Sequence, residues 1–139
     1  MAARDEALRR VYGYAHFRGV QAAAIDAILS GNDVLVVMAT GGGKSLCYQV
    51  PPLVTGGAAL VVSPLVSLMR DQVLALQARG VAACFLGSAQ EDRTVWDRLD
   101  TFQFVYITPE LAAAPRLRAA VGPGGALHAR VNLLAIDEA

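Results

Sequence analysis

The residue types best suited to chemistry form two clusters, one in the first third of the sequence and one at its last residues. Thr40-Gly41-Gly42-Gly43-Lys44-Ser45 combines glycines, a lysine and a hydroxyl, and Asp137-Glu138 follows the apolar run Val131 to Ile136. Phosphoryl transfer from ATP requires backbone amides and a lysine for the phosphates, a hydroxyl and a carboxylate for Mg²⁺, and a second carboxylate for the attacking water. The two clusters together predict an ATPase site.

The glycine-rich cluster has the composition of a phosphate-binding loop. Its glycines let backbone amides point at an anion, Lys44 reaches the outer phosphates, and Ser45 coordinates Mg²⁺. The strict pattern Gly-x-x-x-x-Gly-Lys-Ser is not met, because Met38 stands at the position of its first glycine. A glycine-rich loop without a ligand is the alternative interpretation.

The acidic pair supplies the two carboxylates that the chemistry requires. Asp137 is expected to hold Mg²⁺, mostly through water, and Glu138 to orient or deprotonate the attacking water. A solvated turn is the alternative for an Asp-Glu pair after a strand. Because Lys44 and Ser45 lie upstream, we predict a metal site, with Glu138 and Lys44 as the catalytic residues.

The segment from Tyr12 to Gln21 is rich in aromatic residues and carries a candidate base reader. The Gln21 carboxamide offers one donor and one acceptor, which match adenine N6 and N7, while Phe17, Arg18 or Tyr14 is suited to stack on the base. The alternative is an aromatic helix cap that packs on the core.

Alternating helical and strand periods along the chain predict an α/β fold with a mainly parallel sheet and helices on both faces. The predicted strands are Val34 to Met38, Ala58 to Ser63, Val81 to Leu86, Gln103 to Thr108 and Val131 to Ile136. The predicted helices are Asp5 to Val11, Gly19 to Leu29, Lys44 to Gln49, a helix after Pro64 through Arg79, Gln90 to Asp100 and a short one after Pro109. Pro51-Pro52 is expected to end the third helix.

Polar clusters fall at the carboxyl ends of four of these strands. They are the glycine loop, Ser63-Pro64, Thr108-Pro109 and Asp137-Glu138. In open α/β sheets the ligand binds beyond the carboxyl ends of parallel strands. We therefore expect the four clusters to converge on one edge of the sheet.

Composition restricts the partners. The 139 residues include 12 basic and 12 acidic side chains, so bulk charge offers no support for nucleic-acid binding, and any such binding must be local. Apolar runs are too short for a membrane helix, and mixed charge near the N-terminus is unlike a targeting peptide, so we expect a soluble intracellular protein. Cys47 and Cys84 have no metal-ligand spacing and are expected to be core thiols.

Four motifs resemble those of the RecQ-type DNA helicases of superfamily 2, in that family's order and approximate spacing. They are Tyr12 to Gln21, Met38 to Gln49 (motif I), Ser63 to Gln72 (motif Ia) and Tyr106 to Glu110 (motif Ib). Asp137 and Glu138 resemble the first two letters of the Asp-Glu-x-His box, motif II. Within the family, Cys84 to Gln90 is similar to the plant SIM-type proteins.

The resemblance implies a RecA-like P-loop NTPase lobe that ends after the Asp-Glu-Ala of motif II. Residues 1–139 are then a partial first helicase ATP-binding lobe, with an adenine-recognition helical element at 1–32 and the P-loop to motif II core at 33–139. The implied cofactors are ATP and Mg²⁺. The implied partners are single-stranded or branched DNA and a second helicase lobe, and a eukaryotic member is expected in the nucleus.

The resemblance also assigns residues to DNA. Ser63, Pro64, Thr108 and Pro109 would lie along a single-strand track, where amides and hydroxyls contact phosphates without reading sequence. Capping of helices by Ser or Thr before Pro is an alternative that is compatible with this role.

The resulting hypothesis is a fragment of an ATP-dependent 3′-to-5′ DNA helicase that acts in repair or recombination. The fragment alone is expected to bind ATP weakly and to be almost inactive, because the second lobe supplies part of the ATP site. The alternatives are a nucleotide- or DNA-binding module without motor activity and the lobe of an RNA helicase.

Overall fold

A computed structural model describes residues 2–38, 43–87 and 93–137 of the chain. These residues form two compact units, which divide at Gly56 and Gly57.

The first unit is helical. Helix α1 (Ala3–Ala7) continues directly into a π-helical segment (Leu8–Tyr12), which ends at Gly13 with a φ of 74°. Helices α2 (Gln21–Leu29) and α3 (Leu46–Thr55) complete the unit. Its core consists of Ala7, Leu8, Ile25, Leu46 and Val50. The first two predicted helices are therefore confirmed.

Helix α3 differs from its prediction, because Pro51 and Pro52 lie inside it instead of ending it. A proline in a helix removes a hydrogen bond and crowds the preceding turn. Here α3 packs on α1 and α2, and Val50 is fully buried, so tertiary burial outweighs that cost. The helix ends where Gly56 adopts a left-handed conformation, with a φ of 77°.

The predicted strand from Val34 to Met38 is wrong. Residues 32–38 have no regular secondary structure, and Leu35 and Val37 are 90% and 86% exposed. An apolar run becomes a strand only where a neighbouring strand accepts its backbone hydrogen bonds. None of the four strands in the described part of the chain pairs with this segment, so the sheet has four strands instead of the predicted five.

The second unit is built on a parallel sheet with the strand order β2-β3-β1-β4. The strands are β1 (Ala58–Val62), β2 (Ala83–Leu86), β3 (Phe104–Ile107) and β4 (Val131–Ile136). All residues of β3 and the first four of β1 are buried, as expected for strands inside a parallel sheet. The other four predicted strands and the α/β fold class are confirmed.

Within the described residues of this unit, four helices pack around the sheet. They are α4 (Val66–Ala78), a 3₁₀ helix (Arg93–Thr101), α5 (Pro109–Ala112) and α6 (Pro115–Val121). The helix predicted from Gln90 to Asp100 is a 3₁₀ helix from Arg93, and its first predicted residues lie outside the described ranges. One core cluster joins the sheet to the 3₁₀ helix and α6 through residues that include Leu60, Leu99, Val105 and Leu117.

Within the ranges that the structure describes, no helix is both long and apolar enough to cross a bilayer.

Candidate functional site

The carboxyl ends of the four strands lie level with one another. The last residues of β2, β3, β1 and β4, paired in register, are Leu86, Ile107, Val62 and Ile136. The residues that follow them, in the same spatial order, are Gly87, Thr108, Ser63 and Asp137. Neighbouring strands are about 4.8 Å apart, so these residues form one row along the edge of the sheet. Three of the four predicted polar clusters therefore meet at one edge.

Asp137 stands at one end of this row. Its backbone N–H donates to the Val62 carbonyl at 2.8 Å, which extends the pairing of β1 and β4 by one residue. The residue is only 6% exposed. A carboxyl group at the end of a parallel strand is suited to the sites in which one carboxylate binds Mg²⁺ together with substrate phosphates. The next residue, Glu138, which is predicted to orient or deprotonate the attacking water, lies outside the described residues.

Ser63 and Thr108 occupy the middle of the row and organise the turns that follow their strands. The Ser63 hydroxyl accepts a hydrogen bond from the Leu65 N–H at 3.2 Å, and Ser63 is 2% exposed. The Thr108 hydroxyl accepts from the Leu111 N–H at 3.4 Å and caps α5. The capping interpretation is confirmed for Thr108, and Ser63 makes a comparable turn. Their contact with DNA stays a prediction, as does that of the exposed Pro64 and Pro109.

The phosphate-loop residues fall partly outside the description, since Thr40, Gly41 and Gly42 are not described. Gly43 has a φ of 77°, and Lys44 and Ser45 form the turn that enters α3. The Ser45 carbonyl accepts from the Gln49 N–H at 3.0 Å, so the first turn of α3 is formed directly after this hydroxyl. This is the loop-to-helix transition that favours anion binding at helix N-termini.

Gln21 is tied to this loop by its side chain. Its Oε1 accepts from the Arg18 N–H at 2.7 Å, and its Nε2 donates to the Gly43 carbonyl at 2.8 Å. The residue is 1% exposed. Twenty-two residues separate Gln21 from Gly43, and no pattern in a single sequence indicates that the two touch.

The aromatic candidates separate into two environments. The guanidinium of Arg4 lies 5.4 Å from the centre of the Phe17 ring, and Phe17 packs against the core of the first unit. Tyr14 is 50% exposed, stacks on Tyr12 with ring centres 6.2 Å apart, and is accessible to a base, as is the exposed Arg18. Phe17 thus packs on the core of the first unit, and its contact with the base stays a prediction.

Both cysteines are buried free thiols, as expected from the sequence. Burial raises the pKa of Cys84 to about 12, an effect that the nearby positive charge of Arg98 partly opposes. Burial also raises the pKa of Cys47, and its backbone hydrogen bond partly offsets this. Thiols held in the neutral form are poor nucleophiles, so neither is suited to redox chemistry.

Comparison with known proteins identifies the class to which this fold and edge belong. The sequence profile of the DEAD/DEAH box helicases matches residues 18–139, and the chain belongs to that family. Within it, the chain is 44% identical to the ATP-dependent DNA helicase RecQ of Pasteurella multocida, over 96% of this chain and 21% of that protein. The resemblance to RecQ-family helicases is thereby confirmed.

Eukaryotic RecQ-like proteins match almost as well. The chain is 42% identical to the mouse bifunctional 3′-5′ exonuclease/ATP-dependent helicase WRN, over 95% of this chain and 9% of that protein. It is 41% identical to the ATP-dependent DNA helicase Q-like SIM of Arabidopsis thaliana, over 95% of this chain and 15% of that protein. Against the RecQ proteins of Pasteurella multocida and Haemophilus influenzae, the chain spans about one fifth of their length.

Solved structures confirm the fold. The DUF1998 helicase MrfA bound to DNA and AMPPNP has a TM-score of 0.73 at 19% identity, over 98% of this chain and 20% of that one. A hypothetical ATP-dependent RNA helicase from Sulfolobus tokodaii has a TM-score of 0.65 at 19% identity, over 96% of this chain and 49% of that one. At these identities the likeness concerns the fold alone.

Proposed function

We propose that this chain is the ATP-binding part of an ATP-dependent 3′-to-5′ DNA helicase of the RecQ type. The observation that carries the proposal is the row at the sheet edge, in which Thr108, Ser63 and the buried Asp137 follow one another on neighbouring strands. A candidate metal ligand and two candidate phosphate contacts on one sheet edge are what a motor needs if it is to transmit ATP hydrolysis to a nucleic-acid strand.

For ATP we assign a role to each residue of the two clusters. Backbone amides of residues 40–43 and the Lys44 ammonium would hold the phosphates, while Ser45 and Asp137 would each contribute a metal ligand. Bound Mg²⁺ would neutralise charge that develops on the phosphates. Glu138 would orient or deprotonate the attacking water. The turn at Lys44 and the burial of Asp137 support these roles.

For the base, we propose that Gln21 exchanges hydrogen bonds when adenine arrives. Both ends of its carboxamide are engaged with backbone groups of Arg18 and Gly43. The donor and acceptor that adenine requires are the same two atoms. Tyr14 and Arg18, both exposed, would stack on the ring, with Phe17 as the third candidate.

For DNA, we propose that a single strand crosses the sheet edge beside Ser63-Pro64 and Thr108-Pro109. The two hydroxyls fix the turns, so the strand would meet backbone amides and the exposed prolines, which contact phosphates without reading sequence. Relatives named ATP-dependent DNA helicases support DNA over RNA. For a eukaryotic source, the nucleus is the expected compartment.

The second lobe is the proposed partner of this chain in the parent protein. In other ATPases, an arginine added to the site is worth roughly 10³ to 10⁵ in rate. The 139 residues alone are therefore expected to bind ATP weakly and to turn it over hardly at all.

The test is Lys44→Ala in the parent protein. We expect loss of DNA-stimulated ATP hydrolysis, because the positive charge of the lysine stabilises the negative charge of the phosphates during transfer. Arg79→Ala is the matched control, since Arg79 is an exposed cation at the end of α4, and it should keep its activity. Turnover that survives Lys44→Ala would overturn the phosphate-loop assignment, and stimulation by RNA in place of DNA would favour an RNA helicase.

A further inference from the structure

A groove with a volume of about 330 Å³ lies at the outer edge of β2, between α4 and the 3₁₀ helix. Its walls include Leu74, which is 62% exposed, and the rings of Phe85 and Phe102. The groove touches β2 at residues 83–85 and does not include Gly87, which belongs to the row of residues at the carboxyl edge. It is therefore distinct from the proposed nucleotide and DNA contacts.

Two guanidinium groups line this groove, each lying over an aromatic ring. Arg70 is 5.8 Å from the centre of the Phe85 ring, and Arg98 is 5.7 Å from that of Phe102. Both arginines are exposed residues. Guanidinium groups stacked on rings lose little further freedom when they bind a planar carboxylate, which they recognise through paired N–H donors. The groove thus combines an apolar floor with two anion-binding groups.

The backbone of β2 is closed to strand addition at the start of this groove. The Ala82 carbonyl accepts from the Gln103 N–H, so the next carbonyl, that of Ala83, faces the outer edge of the sheet. The Gln77 side chain donates to this carbonyl at 2.9 Å. A ligand would consequently be held by side chains and not as an additional β-strand.

The length of the groove sets the size of its ligand. Arg70, Leu74 and Gln77 are spaced at i, i+4 and i+7 along α4 and line one side. Seven residues of helix rise about 10 Å, which equals about three residues of extended chain.

We propose that this groove docks a short extended segment of a partner protein, in which carboxylates flank a large apolar side chain. The carboxylates bind Arg70 and Arg98, and the apolar side chain packs between Leu74 and the two rings. The two arginines would attract carboxylates and phosphates alike, but the exposed apolar lining and the position away from the carboxyl edge of the sheet favour this partner over a DNA strand. The proposal does not depend on the proposed motor activity.

The experiment measures fluorescence anisotropy of labelled Gly-Glu-Leu-Glu-Gly with the parent protein. We expect saturable binding that weakens at least tenfold for Gly-Gln-Leu-Gln-Gly, which lacks the charges, and for Gly-Glu-Ser-Glu-Gly, which lacks the apolar side chain. Arg70→Glu with Arg98→Glu should weaken it at least tenfold. Leu74→Ser should also weaken it, with unchanged circular dichroism.

Arg116→Glu is the matched control, because Arg116 is also an exposed arginine over a ring, 4.2 Å from the centre of Trp96, and lies outside the groove. The affinity of this variant for the labelled peptide should stay within twofold of that of the original protein. The affinity of Lys44→Ala should do the same, which would show that peptide binding is independent of ATP hydrolysis. Equal binding of the charged and uncharged peptides, or no binding at all, would overturn the proposal. Competition by oligodeoxythymidylate that is lost in the Arg70 and Arg98 variants would instead assign the groove to DNA.

Discussion

Gln21, the proposed base-reading residue, contacts the loop that precedes α3 through its side chain. Its carboxamide bridges the Arg18 N–H and the Gly43 carbonyl, and the residue is almost fully buried. A base that engages the carboxamide competes with both of these bonds. If Gln21 reads adenine as proposed, adenine binding is linked to the conformation of the loop that precedes α3.

Replacement of Gln21 by alanine tests this link in the parent protein. We expect ATP affinity to fall by about tenfold, which is about 1.4 kcal/mol, and preference for ATP over GTP to be lost, because the donor and acceptor for adenine are gone. Isothermal titration with both nucleotides measures it. If affinity falls equally for ATP and GTP, Gln21 only shapes the loop and does not read the base.

The buried thiol of Cys84 is expected to lower the free energy of unfolding as the pH rises into the alkaline range. Its pKa is raised from 9.0 to about 12 by burial, so the unfolded chain loses the thiol proton first as the pH rises. The stabilisation is complete below about pH 9 and is lost as the pH approaches 12. Urea unfolding of dilute protein at pH 8 and pH 10.5, compared with Cys84→Ala, should show the advantage of the thiol shrinking. A difference independent of pH would contradict the assignment.

At the scale of elements, the entry into α3 depends on a backbone conformation that glycine adopts easily. Gly43 has a φ of 77°, and a Cβ there would lie 2.5 Å from Gln21 Nε2. Gly13, which ends the π-helical segment, has a similar φ of 74° but nothing within 4 Å of its Cβ position. The two glycines therefore share the backbone strain and differ in contacts.

This pair allows a matched comparison of Gly43→Ala with Gly13→Ala. Each change should cost about 1–2 kcal/mol of folding free energy, because alanine is disfavoured in the left-handed region. Gly43→Ala should cost more than Gly13→Ala, because its Cβ also displaces the buried Gln21 side chain. Only Gly43→Ala should also weaken ATP binding, since it displaces Gln21 from the loop. Thermal melts and nucleotide titrations of both variants measure this. Equal ATP affinity in the two variants would show that the contact between Gln21 and Gly43 is irrelevant to the nucleotide.

At the scale of the whole molecule, apolar surface is exposed at the margin of the sheet. Leu134 and Ile136 of β4 are 58% and 65% exposed and point to the same face, because they are two residues apart on one strand. Contiguous exposed apolar groups at a sheet margin promote association.

We therefore expect the 139-residue chain, made alone, to be marginally stable and to self-associate. Sedimentation velocity should show concentration-dependent species that decrease in Leu134→Gln. Val20→Gln is the control, because Val20 is 50% exposed but lies in the helical unit and should have little effect. A monodisperse monomer that melts cooperatively would contradict the expectation.

The sequence by itself determined the α/β class, four of the strands and the identity of the polar residues at their ends. Those features are local, since apolar runs bounded by Ser-Pro, Thr-Pro and Asp-Glu carry their own periodicity and breakers. It also indicated the helicase family, because several motifs occur in one order. The row of Thr108, Ser63 and Asp137 followed from parallel topology, and the register of the strands bears it out.

Only the tertiary structure decided where apolar patterns are used. The segment from Val34 to Met38 has the composition of a strand, but none of the four strands in the described residues pairs with it. Pro51 and Pro52 stay within a helix because α3 is buried. The bond from Gln21 to Gly43 and the groove between Arg70 and Arg98 join residues distant in sequence. Such contacts depend on packing between elements, and the free energy of that packing cannot be predicted from the sequence of any one segment.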